Sequence, residues 1–141
     1  MKTLYEATST AVGGRGGQVN TEDNKIDLKL SVPESMGGDS GAGVNPEQLF
    51  GCAYAACFGG AMEVIAKKKR IDIGNDYSVT ATIGFCEDED GAFLEATLDC
   101  YISGVDFNTG ESIINLAHEI CPFSKATEDN ITVTLNLLLD E

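Results

Sequence analysis

From Leu49 to Met62 the chain is apolar or glycine at every position. No polar face interrupts this run, the pattern of a helix buried on all sides rather than laid on a surface. Asn45 reads as its N-cap, Pro46 as the first helical residue, Glu47 as a partner for the positive end of the helix dipole and Gln48 as the second member of a capping box. The helix is expected to end near residue 69, where Lys67, Lys68, Lys69 and Arg70 sit at the negative end of the dipole. So apolar a helix is more than one small domain can cover alone. Before it, residues 3–12 and 25–32 alternate as strands, with Ile26, Leu28 and Leu30 on one face and a turn at Asp23-Asn24, giving a meander. Residues 33–44 are rich in Gly, Ser and Asp and read as a mobile loop. After the helix, residues 77–85 and 93–102 form a second strand pair around the acidic turn 87–91. Thr109 is expected to cap a helix to about residue 120, stopped by Pro122, and residues 131–139 alternate as a last strand. The class is α+β, with no repeat or linker to divide a single domain over residues 1–141.

Charge and cysteine usage narrow the options. A formal net charge of -14 excludes a nucleic-acid partner, because phosphate binding rests on Lys and Arg, and disfavours an anionic membrane surface. Residues 1–10 hold no signal-peptide core, and no apolar stretch is expected to reach the roughly 18 residues of a membrane span. The chain therefore reads as cytoplasmic. Its five cysteines, at positions 52, 57, 86, 100 and 121, contain no Cys-x-x-Cys, so neither a secreted disulfide framework nor a structural zinc site fits. One functional pair with three bystanders fits better.

Two cysteines have unusual surroundings. Cys57 lies inside the apolar helix, and Cys121 at the helix-ending signal His118-Glu119-Ile120-Cys121-Pro122. A buried thiol is a poor nucleophile unless a cation is brought to it, and Arg15, between Gly13-Gly14 and Gly16-Gly17, is the conspicuous candidate. Bland readings stand beside these. A buried helical cysteine is ordinarily inert, Arg15 can be a turn residue, and Glu47 an ordinary dipole partner. A helix C-terminus opposes a thiolate, which suits Cys121 to resolving rather than attacking. His118, three residues before Cys121, suggests a catalytic or metal-binding pair but lacks further ligands or an orienting group.

Taken together, Gly13-Gly14-Arg15, Asn45-Pro46-Glu47-Gln48-Leu49-Phe50, Tyr54-Ala55-Ala56-Cys57-Phe58, the run from His118 through Pro122 to Thr127, and Asn130-Ile131-Thr132-Val133-Thr134-Leu135 resemble the organic hydroperoxide resistance proteins, the Ohr branch of the OsmC/Ohr superfamily. The resemblance implies an intertwined homodimer whose central helices are wrapped by antiparallel sheets with strands from both subunits, and a thiol peroxidase acting on alkyl or lipid hydroperoxides without a cofactor or metal. It casts Cys57 as the peroxidatic and Cys121 as the resolving cysteine, with Arg15 and Glu47 as the pair that activates the thiolate. A dithiol, typically a lipoyl group on a protein, is expected to reopen the disulfide. Gly16 departs from the polar residue usual after the arginine, implying a looser loop, and Cys52 adds a thiol. Glu47 lies ten residues before Cys57, about 15 Å along a straight helix, so two-fold packing is expected to bring Glu47, and with it Arg15, from the partner subunit. Phe50, Tyr54, Phe58 and Met36 are the expected lining for an apolar substrate. The competing readings are an OsmC-branch protein with another peroxide preference or a binding role, and a non-enzymatic dimer holding an apolar ligand.

Overall fold

The structure, a computed structural model, describes residues 1–140 and forms two compact units, Met1–Leu49 and Phe50 onward. In the first unit, β1 (Ser9–Val12), β2 (Gln18–Thr21) and β3 (Asp27–Lys29) make an antiparallel sheet in the order β1-β2-β3. The middle strand escaped the alternation reading because Gln-Val-Asn-Thr has one apolar position; both its edges are hydrogen-bonded nonetheless. The strand expected over residues 3–12 begins only at Ser9, and residues 1–8 are exposed without regular structure.

Glycine shapes the β1–β2 turn. Gly13 and Gly14 have φ of +84° and +62°, Gly14–Gly16 form a single 3-10 turn, and a Cβ on Gly17 would run into the Val12 carbonyl. The loop around Arg15 is thus a tight turn that requires glycine at positions 13, 14 and 17, whereas a Cβ at Gly16 would meet nothing within 4 Å. The 33–44 loop is likewise tied down. Ser31 N–H donates to the Val44 carbonyl, Gly43 N–H to Ser31 Oγ and Glu34 N–H to Ser40 Oγ, around a short 3-10 turn at Glu34–Met36.

Helix α1 runs Pro46–Lys68. Its start is as read: Gln48 N–H donates to Asn45 Oδ1 at 2.8 Å and Asn45 N–H to Gln48 Oε1 at 3.0 Å, a reciprocal capping box of the kind whose loss costs about 1 kcal/mol. In the second unit, β4 (Tyr77–Asp88), β5 (Gly91–Ile102) and β6 (Thr132–Leu138) form a sheet in the order β4-β5-β6. The wholly antiparallel expectation needs correction, because β6 runs parallel to β5. The reason is the connection. Helices α2 (Phe107–Ile120) and α3 (Pro122–Thr127) carry the chain from the end of β5 across to the opposite end of the sheet, the crossover a parallel pair requires.

The cap of α2 is Asp106, whose side chain accepts from Thr109 N–H, rather than Thr109 itself. Pro122 ends α2 as expected but also opens α3, since a proline at the first helical position loses no bond. Gly110 lets α2 approach β6, because a Cβ there would meet the Leu137 side chain at 2.9 Å. The core joins Tyr54, Phe58, Met62 and Ile65 of α1 to Leu98, Cys100 and Ile102 of β5 and to Ile113, Ile114 and Ala117 of α2. Fully burying side chains such as Phe58 and Met62 stabilises by about 1.5–3 kcal/mol each. Gly51 and Gly59 lie on the side of α1 facing β4, near Ile83 and Val79.

Helix α1 is not buried all round within the chain. Cys52, Ala53, Ala56, Gly60 and Val64 are exposed. By length and composition alone it is also apolar enough to cross a membrane, contrary to the expectation from the sequence, but Tyr54, Phe58 and Met62 are completely enclosed in the core.

Candidate active site

Two pairs of side chains predicted to carry chemistry are formed, one in each unit. In the first unit, the turn at Gly14–Gly16 presents Arg15 and the first turn of α1 presents Glu47. Nη1 and Nη2 of Arg15 donate to Oε1 and Oε2 of Glu47 at 2.8 and 3.1 Å, a bidentate fork. Glu47 is largely buried and Arg15 is partly open to solvent. The hydrogen bonds it donates to Glu47 raise the Arg15 guanidinium pKa further. Both members come from the same chain.

In the second unit, α1 places Cys57 half-buried and the α2–α3 corner places Cys121 fully buried. Cys121 is at once the C-cap of α2 and the N-cap of α3, and its thiol donates to Cys57 Sγ at 3.3 Å across 64 positions of sequence. Both thiols are free. Burial pushes the Cys57 pKa up. The backbone N–H of Phe123, in the first turn of α3, pulls the other way, and the neighbouring Cys121 adds to the rise. Desolvation wins, favouring the neutral Cys57 thiol, while the Phe123 backbone N–H is aimed at its sulfur.

Aromatic and polar groups surround the thiols. Phe50 stacks on Tyr54 at 5.9 Å between ring centroids, and Phe123 tilts against both at 6.3 and 6.0 Å. Beneath these rings Tyr54 Oη lies 2.7 Å from Ser124 Oγ, which lies 2.8 Å from His118 Nδ1. Among the expected substrate-lining residues, Phe50 is half-buried, Tyr54 and Phe58 present no surface to solvent, and Met36 is half-buried in the 3-10 turn of the first unit. Sequence reasoning missed Phe123 and Ser124 as neighbours of the thiols. The signal was Pro122 as a helix opener: a helix beginning there puts both on its first turn. The remaining cysteines differ. Cys52 is exposed, Cys86 has its pKa raised by burial and by Glu95, and burial pushes Cys100 up to about 12. Among the described residues no group of three His, Cys, Asp or Glu side chains is placed to hold a metal ion.

The OsmC-like protein family matches residues 37–136. The organic hydroperoxide resistance protein of Xanthomonas axonopodis pv. citri (strain 306) is 40% identical over 136 residues, covering 96% of each chain. OhrB, an organic hydroperoxide resistance protein of Bacillus subtilis (strain 168), is 40% identical over 136 residues, covering 95% of this chain and 98% of its own. The crystal structure of an organic hydroperoxide resistance protein from Elizabethkingia anophelis superposes with a TM-score of 0.93 at 37% identity, covering 99% of this chain and all of that one.

Proposed function

Because the chain belongs to the OsmC-like protein family, we propose that it is a thiol peroxidase that reduces alkyl or lipid hydroperoxides to alcohols. Its relatives' names point to organic hydroperoxides. The observation that carries the reading is the 3.3 Å approach of Cys57 and Cys121, two sulfurs from distant parts of the sequence that share one contact without being bonded. A disulfide of about 2.05 Å needs the sulfurs to close by little more than 1 Å.

In the proposed cycle the Cys57 thiolate attacks the distal peroxide oxygen. The O–O bond breaks, the alkoxide leaves and takes a proton as the alcohol, and sulfur is oxidised to Cys57–SOH. The Cys121 sulfur then attacks that sulfur, its proton leaving with the hydroxyl as water, and the Cys57–Cys121 disulfide forms. A dithiol, for which a lipoyl group on a protein is the expected carrier, reopens it by exchange and becomes a disulfide itself. Phe123 N–H stabilises the thiolate, and Arg15, held in its fork by Glu47, is assigned the cationic share that burial makes necessary. Phe50, Tyr54, Phe58 and Met36 are assigned to the apolar tail of the substrate. The exposed small-residue side of α1 supports a homodimer as the working form, in which a partner covers Cys52, Ala53, Ala56, Gly60 and Val64. Five free thiols suit the reducing cytoplasm.

Steady-state turnover of cumene hydroperoxide with dihydrolipoamide as electron donor tests the reading. Sustained alcohol production that depends on the dithiol supports it; no consumption of any organic hydroperoxide with dihydrolipoamide or thioredoxin overturns it.

A further inference from the structure

Three residues whose polar groups have no part in the cycle above, Tyr54 entering it only through its ring, form a hydrogen-bonded group. Tyr54 precedes Cys57 by three positions on α1, His118 precedes Cys121 by three on α2, and Ser124 follows Cys121 by three on α3. Each therefore lies about one helical turn from a reactive sulfur. Ser124 Oγ meets both others, Tyr54 Oη at 2.7 Å and His118 Nδ1 at 2.8 Å, and Tyr54 and Ser124 are buried. Donor counting gives the network a direction. If Tyr54 O–H donates to Ser124 Oγ and Ser124 O–H to His118 Nδ1, every hydroxyl proton is used; that order requires the His118 tautomer protonated at Nε2. Reversing the first bond leaves the enclosed phenol proton without this partner, a cost a buried donor seldom bears.

The corner needs such a device. Cys121 has extended backbone geometry, φ -62° and ψ 121°, between two helices, and its carbonyl accepts from Lys125 N–H while its own N–H donates to Ala117. Those bonds fix the corner to its own two helices. They do not fix it to α1, where Cys57 resides. The Tyr54–Ser124–His118 network does, because it ties α2 and α3, on the two sides of Cys121, to one hydroxyl of α1.

Resting on the peroxidase reading, we propose that Ser124 is a positioning residue for the second chemical step: the network clamps the α2–α3 corner to α1 and so sets the distance over which Cys121 attacks oxidised Cys57. That step competes with another. Cys57–SOH either loses water to Cys121–SH, giving the disulfide, or reduces a second hydroperoxide, giving Cys57–SO2H and another alcohol. A loosened corner slows the first and leaves the second unchanged. Misplacement of reacting groups by an ångström costs up to about a hundredfold in rate; about a tenfold fall in the disulfide-to-sulfinate ratio is expected here.

The test is rapid mixing of the full chain with graded cumene hydroperoxide, followed by mass-spectrometric counting of disulfide and sulfinate at Cys57, in the wild type, Ser124→Ala, Ser124→Thr and His118→Ala. Ser124→Ala is expected to consume the first equivalent of hydroperoxide at the wild-type rate while its ratio falls about tenfold. Ser124→Thr, which keeps the hydroxyl, is expected to recover most of the ratio, and His118→Ala, which severs only the α2 arm, to show a smaller fall in the same direction. Should Ser124→Ala fail to fold, His118→Ala against the wild type decides. An unchanged ratio in the decisive variant overturns the clamp, as does equal slowing of both steps without recovery by threonine. Failure of the wild type to form the Cys57–Cys121 disulfide overturns the peroxidase reading instead, and the clamp with it.

Discussion

Two buried cysteine sites in the second unit show how little burial alone says about a thiol. Cys100 lies within β5, pairs in register with Val79 and Leu137, and its thiol donates to the Leu98 carbonyl at 3.8 Å. Its pKa is pushed up to about 12, chiefly by desolvation, with Asp99 adding to the rise. Cys57 is also raised by desolvation, but it lies on a helix face half open to solvent, with a backbone N–H from Phe123 aimed at its sulfur and a second thiol at 3.3 Å. Strand geometry surrounds a side chain with neighbouring side chains and satisfies the backbone in the sheet plane, leaving no donor for a sulfur. A helix start leaves its first N–H groups unpaired, and the break at Cys121-Pro122 delivers such a group to Cys57. What distinguishes Cys57 from Cys100 is partial exposure, a backbone donor at the sulfur and a second thiol beside it.

The sharpest way to break this contrast is to remove the attacking sulfur. Cys57→Ser is expected to reduce hydroperoxide consumption to background, because a hydroxyl at this position has neither the acidity nor the nucleophilicity of a thiol; full multi-turnover activity in a ferrous-xylenol orange assay ends the assignment. Cys121→Ser comes next. It is expected to consume one equivalent and stop, with Cys57–SOH trapped by dimedone or carried on to sulfinate, and continued turnover at the wild-type rate contradicts its resolving role.

Removing the cation sharpens the comparison further. Arg15→Ala is expected to raise the pH at which Cys57 becomes reactive by about one unit, and so to slow the first step roughly tenfold near neutral pH. Stopped-flow rates across pH check this, and an unshifted profile contradicts the role given to Arg15. The smallest effect on activity is expected at the other thiol. Cys100→Ala should stay within about twofold of wild-type turnover, since its sulfur reaches no reacting group. Its stability signature is in alkali. The folded pKa of about 12 lies above the 9.0 of a free cysteine thiol, so the folded state binds the proton more tightly than the unfolded chain. The stability from this group is complete below about pH 9 and is lost as pH rises toward 12. Urea unfolding at pH 7.5 and at about 10.5 should show the wild type losing on the order of 2 kcal/mol more than Cys100→Ala between the two; equal losses contradict the shift.

Much of this was legible because local chemistry and global fold agree. Asn45-Pro46-Glu47-Gln48 announces α1 by a capping box that depends on no distant residue, and the hairpin of β4 and β5 alternates cleanly because one face is packed. Cys57 and Cys121 could be picked out by their apolar and helix-ending surroundings. Other features depend on contacts with no local signature. Gln18–Thr21 becomes a strand because two neighbours pair with it, β6 becomes parallel because two helices intervene, and Asp106 outcompetes Thr109 as cap by lying one turn earlier. The buried pairing of Tyr54 with Ser124 spans 70 positions and unites two residues that look like ordinary core and turn positions in the sequence. Arg15 with Glu47 was expected from resemblance, and the fork between them is made within one chain.

The most direct test of the central claim is to count thiols. The reduced protein has five free cysteines. After one equivalent of cumene hydroperoxide per chain, labelling with a maleimide under denaturing conditions is expected to find three, with Cys57 and Cys121 recovered as a disulfide-linked peptide pair and cumyl alcohol formed in equal amount. Five labelled thiols with the hydroperoxide intact, or a disulfide joining any other pair, contradict the account.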